Sequence, residues 1–339
     1  MIEATKRYLL YHLAYSRFFF SGCIMPTLIQ YMSAYIARFV LSLSLFAMSP
    51  FAVAHNSSAL ATMSSATSRL LLVAAENFYG DVLTQLGGEH VTVTSLINHP
   101  KQDPHLFEAS PSTARQLAHA RLVVYNGADY DPWLTKLLAA SKVPQREQIV
   151  AATLVGKKSG DNPHLWYLPE TMPALGAAVT AFLIRADSAH QEDYNARLSA
   201  FLASLKPIEA KIAELREKYR GTPITATEPI LGYLIQALEL KDNNPRFQQA
   251  IMNDTEPSAT DIAAFEKDLR QQRVKVLIYN AQTSDEMTRH LLKLAHASGV
   301  AVMEVSEVKP ANLSYQAWIL SQLSALEQAL AQTPKQNRR

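Results

Sequence analysis

The stretch QEDYNARLSAFLASLKPIEAKIAELREKY, residues 191–219, decides the architecture. Tyr194, Leu198, Phe201, Leu202, Leu205, Ile208, Ile212 and Leu215 recur at steps of three and four, which sets them on one face of an α-helix. Pro207 falls in the middle, where it removes a backbone donor and predicts a kink rather than an end. The helix is long for a globular domain. An alternating strand–helix pattern lies on either side of it, so it reads as a rigid strut between two lobes and not as a flexible linker.

Before the strut, Leu70–Ala75 is an apolar run of strand length, and Asn77–Leu86 is helical and ends at Gly87-Gly88. Val91–Leu96 alternates as a strand, and Ser110-Pro111-Ser112 opens a helix running to His119. Leu122–Tyr125 is a buried strand stopped by Asn126-Gly127, followed by a helix over Asp131–Ala140, a short strand at Gln148–Ala151 and a helix over Glu170–Ile184. After the strut the pattern resumes: a strand at Ile224–Thr227, a helix at Leu231–Leu238, a short strand at Gln249–Met252, and a helix at Ser258–Gln271 capped by Ser258. Val274–Tyr279 is a strand, Ser284–Ser298 a helix, Val300–Val305 a strand and Ser314–Gln332 a closing helix. Such alternation predicts parallel sheets with crossover helices. The fold class is α/β, with two lobes of parallel sheet flanked by helices and joined by one long helix. The divisions fall at 69–190, 191–219 and 220–332.

The chain has 339 residues, 48% of them hydrophobic, enough for two cores. A net charge of +2, with no basic run, excludes a nucleic-acid binder. From Met32 the sequence gives a basic start, an apolar run from Phe39 to Val53, and Ala52-Val53-Ala54 before His55, the pattern of a secretory signal peptide cleaved after Ala54. Residues 1–54 are thus read as leader, with Met32 as the expected start, and the Ser/Ala/Thr-rich 55–68 as a flexible lead-in. Neither apolar run reaches the ~20 residues that span a bilayer. The lone Cys23 follows Ser21-Gly22 but is a poor acylation site after phenylalanine, so no lipid anchor is expected. The cleaved chain then has no cysteine, and any metal must be held by nitrogen and oxygen.

Three corners supply such atoms. Asp103-Pro104-His105-Leu106-Phe107-Glu108 and Asp161-Asn162-Pro163-His164-Leu165-Trp166 each place an imidazole directly after a proline, on a stiff turn. Thr227-Glu228-Pro229 offers a carboxylate where a strand ends. Functional loops of parallel sheets lie at the carboxyl ends of strands, so the loop after Val274–Tyr279 is a candidate for a fourth group. Such donors suit a borderline-to-hard divalent ion, imidazole favouring zinc and carboxylate manganese. Each corner has a plainer reading as well. Glu228 can cap the next helix, His99 can lie behind the ligands, and His55, His90, His119, His190, His290 and His296 read as surface residues.

The sequence resembles the metal-binding receptors of bacterial ABC importers for zinc and manganese, of the cluster A-I type, over roughly Leu70 to Leu330. The resemblance rests on Asp103-Pro104-His105 with Glu108 and Ser110-Pro111, and on Tyr125-Asn126-Gly127 followed by Trp133-Leu134. It rests further on Asn162-Pro163-His164-Leu165-Trp166, Glu228 with Gly232-Tyr233, Glu256-Pro257-Ser258 and Tyr279-Asn280-Ala281-Gln282. It implies a metal in the cleft between the lobes, with His105 and His164 as ligands and Glu228 as the third. The family's fourth ligand, usually acidic, is expected in the loop after Val274–Tyr279. There Asp285 is the nearest carboxylate, with Asn280 or Gln282 through an amide oxygen, or water, as alternatives. The segment Ala139–Asp161 contains no histidine, so a histidine-rich scavenging loop is absent.

The reading is therefore a periplasmic, monomeric receptor that captures Mn2+ or Zn2+ and delivers it to an ABC-type permease in the inner membrane. It is not an enzyme: no His-Glu-x-x-His or Gly-x-Ser-x-Gly is present. The alternatives are an adhesin-like protein or a receptor for a chelated metal or small solute, with Trp166, Tyr233 and Tyr279 lining the cleft, and a zinc hydrolase.

Overall fold

The computed structural model describes residues 69–99, 104, 107–282 and 285–332. The leader, Cys23, Met32, the cleavage position after Ala54 and His105 lie outside the described residues.

The first lobe runs β1 (Leu70–Glu76), α1 (Asn77–Gly87), β2 (Val91–Ile97), α2 (Pro111–His119), β3 (Leu122–Tyr125), α3 (Pro132–Ala140), β4 (Glu147–Val150), α4 (Ala151–Leu154) and α5 (Thr171–Ala186). Its four strands are all parallel, in the order β2-β1-β3-β4. The strut α6 (Gln191–Tyr219) follows and continues through Pro207 as one helix. The second lobe runs β5 (Pro223–Ala226), α7 (Gly232–Ala237), β6 (Lys241–Asn243), α8 (Pro245–Met252), α9 (Ala259–Arg270), β7 (Val276–Asn280), α10 (Glu286–Ser298), β8 (Ala301–Val305) and α11 (Tyr315–Ala331). Its sheet is also parallel, in the order β6-β5-β7-β8. Each sheet steps outward from its first strand in one direction and then the other, the reversal that opens a binding crevice at the carboxyl ends.

The strut buries Tyr194, Phe201, Leu205, Ile208, Ile212 and Leu215, while Leu202, expected on the same face, is exposed. It packs on α1 and α5 of the first lobe and on α11 of the second. The last helix returns to the first lobe. Trp318 of α11 stacks against Phe78 of α1, centroids 5.9 Å apart, and lies 5.7 Å from the Tyr167 ring, so one apolar core runs through both lobes. Trp166, expected in the cleft wall, is fully buried here, 4.6 Å from Phe78.

The strand expected at Gln249–Met252 is instead the end of helix α8. So short a segment does not separate strand from helix, and Pro245 at the first helical position carries the start signal. The actual edge strand, Lys241–Asn243, is short and polar, and no apolar alternation marks it.

Candidate metal centre

Three side chains from three loops meet between the lobes. His164 precedes the short turn of helix Leu165–Tyr167, Glu228 follows β5, and Glu307 follows β8. Each offers a ligating atom within 4.8 Å of the others', and all three are buried. His164 Nε2 lies 3.9 Å from Glu228 Oε1 and 3.8 Å from Glu307 Oε2. Those distances are too long for hydrogen bonds, and among the described residues this buried nitrogen has no hydrogen-bond partner. A buried polar atom without a partner costs free energy. Facing two carboxylates, it has the disposition of a ligand atom.

The rest of the imidazole is fixed. Asn162 Oδ1 accepts the backbone N–H of His164 at 3.0 Å and lies 2.7 Å from Nδ1. With Nδ1 carrying the proton, Nε2 presents its lone pair to the cluster, as a ligating histidine does. Asn162 also donates from Nδ2 to the carbonyl of Pro229 at 2.7 Å, and its own carbonyl accepts from Tyr233 Oη at 2.7 Å. The first-lobe corner is thus tied to the second-lobe corner. Gly232 makes this possible, since a Cβ there would stand 2.7 Å from Asn162 Nδ2. Behind the corner, Asn126 donates from Nδ2 to the carbonyl of Pro163 at 2.8 Å and accepts from Tyr79 Oη at 2.6 Å. That is the structural role of the Tyr125-Asn126-Gly127 motif. Gly127 has φ +75°, which suits glycine.

The carboxylates are held from the other side. Asn280 Nδ2 donates to Glu228 Oε2 at 2.9 Å and to Glu307 Oε1 at 2.8 Å. Tyr130 Oη donates to Glu307 Oε2 at 2.9 Å. Burial first, and then the neighbouring Glu307 carboxylate, push the Tyr130 phenol well up, so it remains a donor. The backbone N–H of Glu307 donates to Gln282 Oε1. Asn280 and Gln282, considered as amide-oxygen ligands, therefore serve as buttresses here. Glu228 does not cap α7, which begins after Leu231 without a side-chain cap.

Asp285, expected as the fourth ligand, is not brought to this cluster. It is exposed and caps α10, accepting the backbone N–H of Thr288 at 2.6 Å and donating its own N–H to Thr288 Oγ1 at 3.1 Å. Its carboxylate answers the open donors of a helix start. The carboxylate that does reach the cluster, Glu307, was missed. Its signal was topological: Glu307 lies two residues beyond a parallel strand, where the rule that selected Glu228 applies equally. His99 and Glu108 are exposed.

The family described as zinc-uptake complex component A, periplasmic (ZnuA) matches residues 72–329, and the chain belongs to this family. The chain is 23% identical over 245 residues to the metal ABC transporter substrate-binding lipoprotein ScbA of Streptococcus cristatus, covering 67% of this chain and 77% of that one. It is 22% identical over 247 residues to the manganese ABC transporter substrate-binding lipoprotein ScaA of Streptococcus gordonii, covering 68% and 77%. Among solved structures it resembles the periplasmic zinc-binding protein TroA of Treponema pallidum, with a TM-score of 0.66 and 16% identity over 78% of this chain and all of that one. Among the described residues, no helix is long and apolar enough to cross a membrane.

Proposed function

We propose that this chain is the receptor of a bacterial metal importer and captures a divalent cation, manganese or zinc, between its lobes. His164 Nε2, Glu228 and Glu307 supply three donors, and His105, which lies outside the described residues, supplies the fourth. The observation that carries this reading is the buried Nε2 of His164, without a hydrogen-bond partner among the described residues and facing two carboxylates. The receptor acts without catalysis, as a monomer, and hands its ion to an ABC-type permease in the inner membrane. Two imidazoles with two carboxylates suit manganese, although zinc binds more tightly to almost any such set. We assign manganese as the biological cargo and expect zinc to compete in solution. Relatives named for manganese and for zinc occur on either side of this choice.

The test is titration of the metal-free chain with Mn2+ and Zn2+, beside elemental analysis of protein drawn from its native compartment. His164→Ala and His105→Ala are each expected to remove most of the affinity while leaving the fold intact, and Glu228→His is expected to shift preference towards zinc. Wild-type affinity in either alanine variant removes that residue from the site. Export through the signal at residues 32–54 belongs to the same proposal. Mass spectrometry of the mature amino terminus separates a chain beginning at His55 from one acylated at Cys23, the attachment that the name lipoprotein gives to the streptococcal relatives.

A further inference from the structure

A second cluster of imidazole and carboxylate lies away from the cleft. His90 directly precedes β2, at the amino end of the first-lobe sheet, whereas the central cluster lies at carboxyl ends. Asp187 and His190 lie in the turn between α5 and α6, and Asp193 is in the first turn of α6. The His90 and His190 rings stack with centroids 3.9 Å apart. His90 Nε2 is 3.0 Å from Asp193 Oδ2, and His190 Nδ1 is 2.7 Å from Asp187 Oδ2. Each imidazole thus has one nitrogen on a carboxylate. For His90, with Nε2 protonated on Asp193, Nδ1 carries the lone pair, the arrangement by which a carboxylate orients a metal-ligating histidine. At His190 an ion would replace the proton between Nδ1 and Asp187 Oδ2.

The charges favour a cation. Asp193 is matched by Arg197, whose Nε donates to the same Oδ2 at 2.7 Å. Among the described residues, no lysine or arginine pairs with Asp187. It accepts from Tyr194 Oη at 2.7 Å and from His190, and these bonds outweigh burial and keep its carboxyl below the usual range. The side chains of His90, His190 and Asp187 are 15%, 30% and 22% exposed, so an ion can reach them from solvent. One ligating atom from each of the three lies within 4.8 Å of the others'.

We infer that His90, Asp187 and His190 form a second divalent-metal site, peripheral to the cleft and selective for zinc-class ions. Two imidazoles to one carboxylate favour zinc, copper or nickel over manganese, the reverse of the central donor balance. An ion there would join the start of β2 to the turn between α5 and α6, two segments far apart in sequence. It would therefore stabilise the fold independently of the cargo site.

The experiment is equilibrium dialysis of the full mature chain against Zn2+ alone, with elemental analysis, in wild type, His164→Ala, His90→Gln and His190→Gln. Two equivalents are expected in wild type, and the peripheral one is retained in His164→Ala. His90→Gln and His190→Gln should each weaken only the peripheral equivalent, by tenfold or more, while the central one is unchanged. Both side chains are partly exposed, so folded variants are expected, with circular dichroism as the check. In His164→Ala, Zn2+ should still raise the melting temperature, and that rise should vanish when His190→Gln is added. A single equivalent in wild type, or a second equivalent that persists in both glutamine variants, overturns the proposal. Failure of the central reading shows separately, as an unchanged central equivalent in His164→Ala.

Discussion

The two lobes carry the same pair of residues at the same place and use them differently. In the first sheet Val73 pairs with Val123 and Ala74 with Val124, so two residues further on Glu76 stands level with Asn126. In the second, Thr225 pairs with Leu277 and Ala226 with Ile278, which sets Glu228 level with Asn280. Each glutamate–asparagine pair therefore marks the reversal point of its sheet. In the second lobe the asparagine amide supports the glutamate, which faces His164. In the first lobe Asn126 spends its amide on the carbonyls of Gly127 and Pro163, and Glu76 is buried with neither oxygen hydrogen-bonded among the described residues. Burial above all, and then the nearby Asp131 charge, raise the Glu76 carboxyl well above its ordinary value. Burial likewise raises Asp131 to about 6, against the backbone N–H groups of Gly127 and Asn126 that pull it down. The difference teaches that topology sets where a carboxylate can go, and its partners decide what it becomes.

The sharpest way to break this comparison is to neutralise each glutamate. Glu228→Gln is expected to lower manganese affinity more than about a hundredfold, since loss even of an outer-shell partner costs ~10–100-fold. Glu76→Gln should leave affinity within about twofold. Equal losses in a competition titration would place Glu76 in the site and end the distinction. Next in size is the support itself: Asn280→Ala should cost roughly tenfold or more in affinity, with a smaller effect on melting temperature.

Glu76 should declare itself in stability against pH. Its folded-state pKa is raised, so the native chain binds more protons than the unfolded one above the unfolded value, and stability falls as pH rises from there. Each unit of separation is worth about 1.4 kcal/mol. Glu76→Gln mimics the protonated acid, so it should raise the melting temperature at pH 8 and change little near pH 4. A gain of equal size at both pH values would refute the assignment. The smallest effect concerns a carboxylate outside the pair: Asp285→Ala should cost about 1 kcal/mol of stability through the lost helix cap and nothing in metal affinity.

Much of this was legible in the sequence. The long helix over 191–219 and the alternation around it gave the two-lobe plan, because apolar periodicity is a local signal. His164 and Glu228 were legible because proline corners and strand ends are local as well. Glu307 was not singled out: it too lies two residues beyond a strand, but no adjoining proline marks a corner there, and it reaches the cluster only because β8 lies next to β7. Asp285 misled for the opposite reason: it had the right chemistry in a nominated loop, but a helix start nearer by claimed it. Glu76 lies at the end of an apolar strand, and its missing partners are visible only once the first lobe is packed.

The shared amide of Asn280 has one more consequence. Two carboxylates share the Asn280 amide as a donor, beside an imidazole, and all three ionisable side chains are buried. A monovalent ion there would leave a negative complex and a trivalent ion a positive one, and a buried net charge is costly. A dication closes the complex at neutrality. On the proposed ligand set, with both carboxylates ionised, charge balance favours a dication over sodium or potassium before any discrimination between elements.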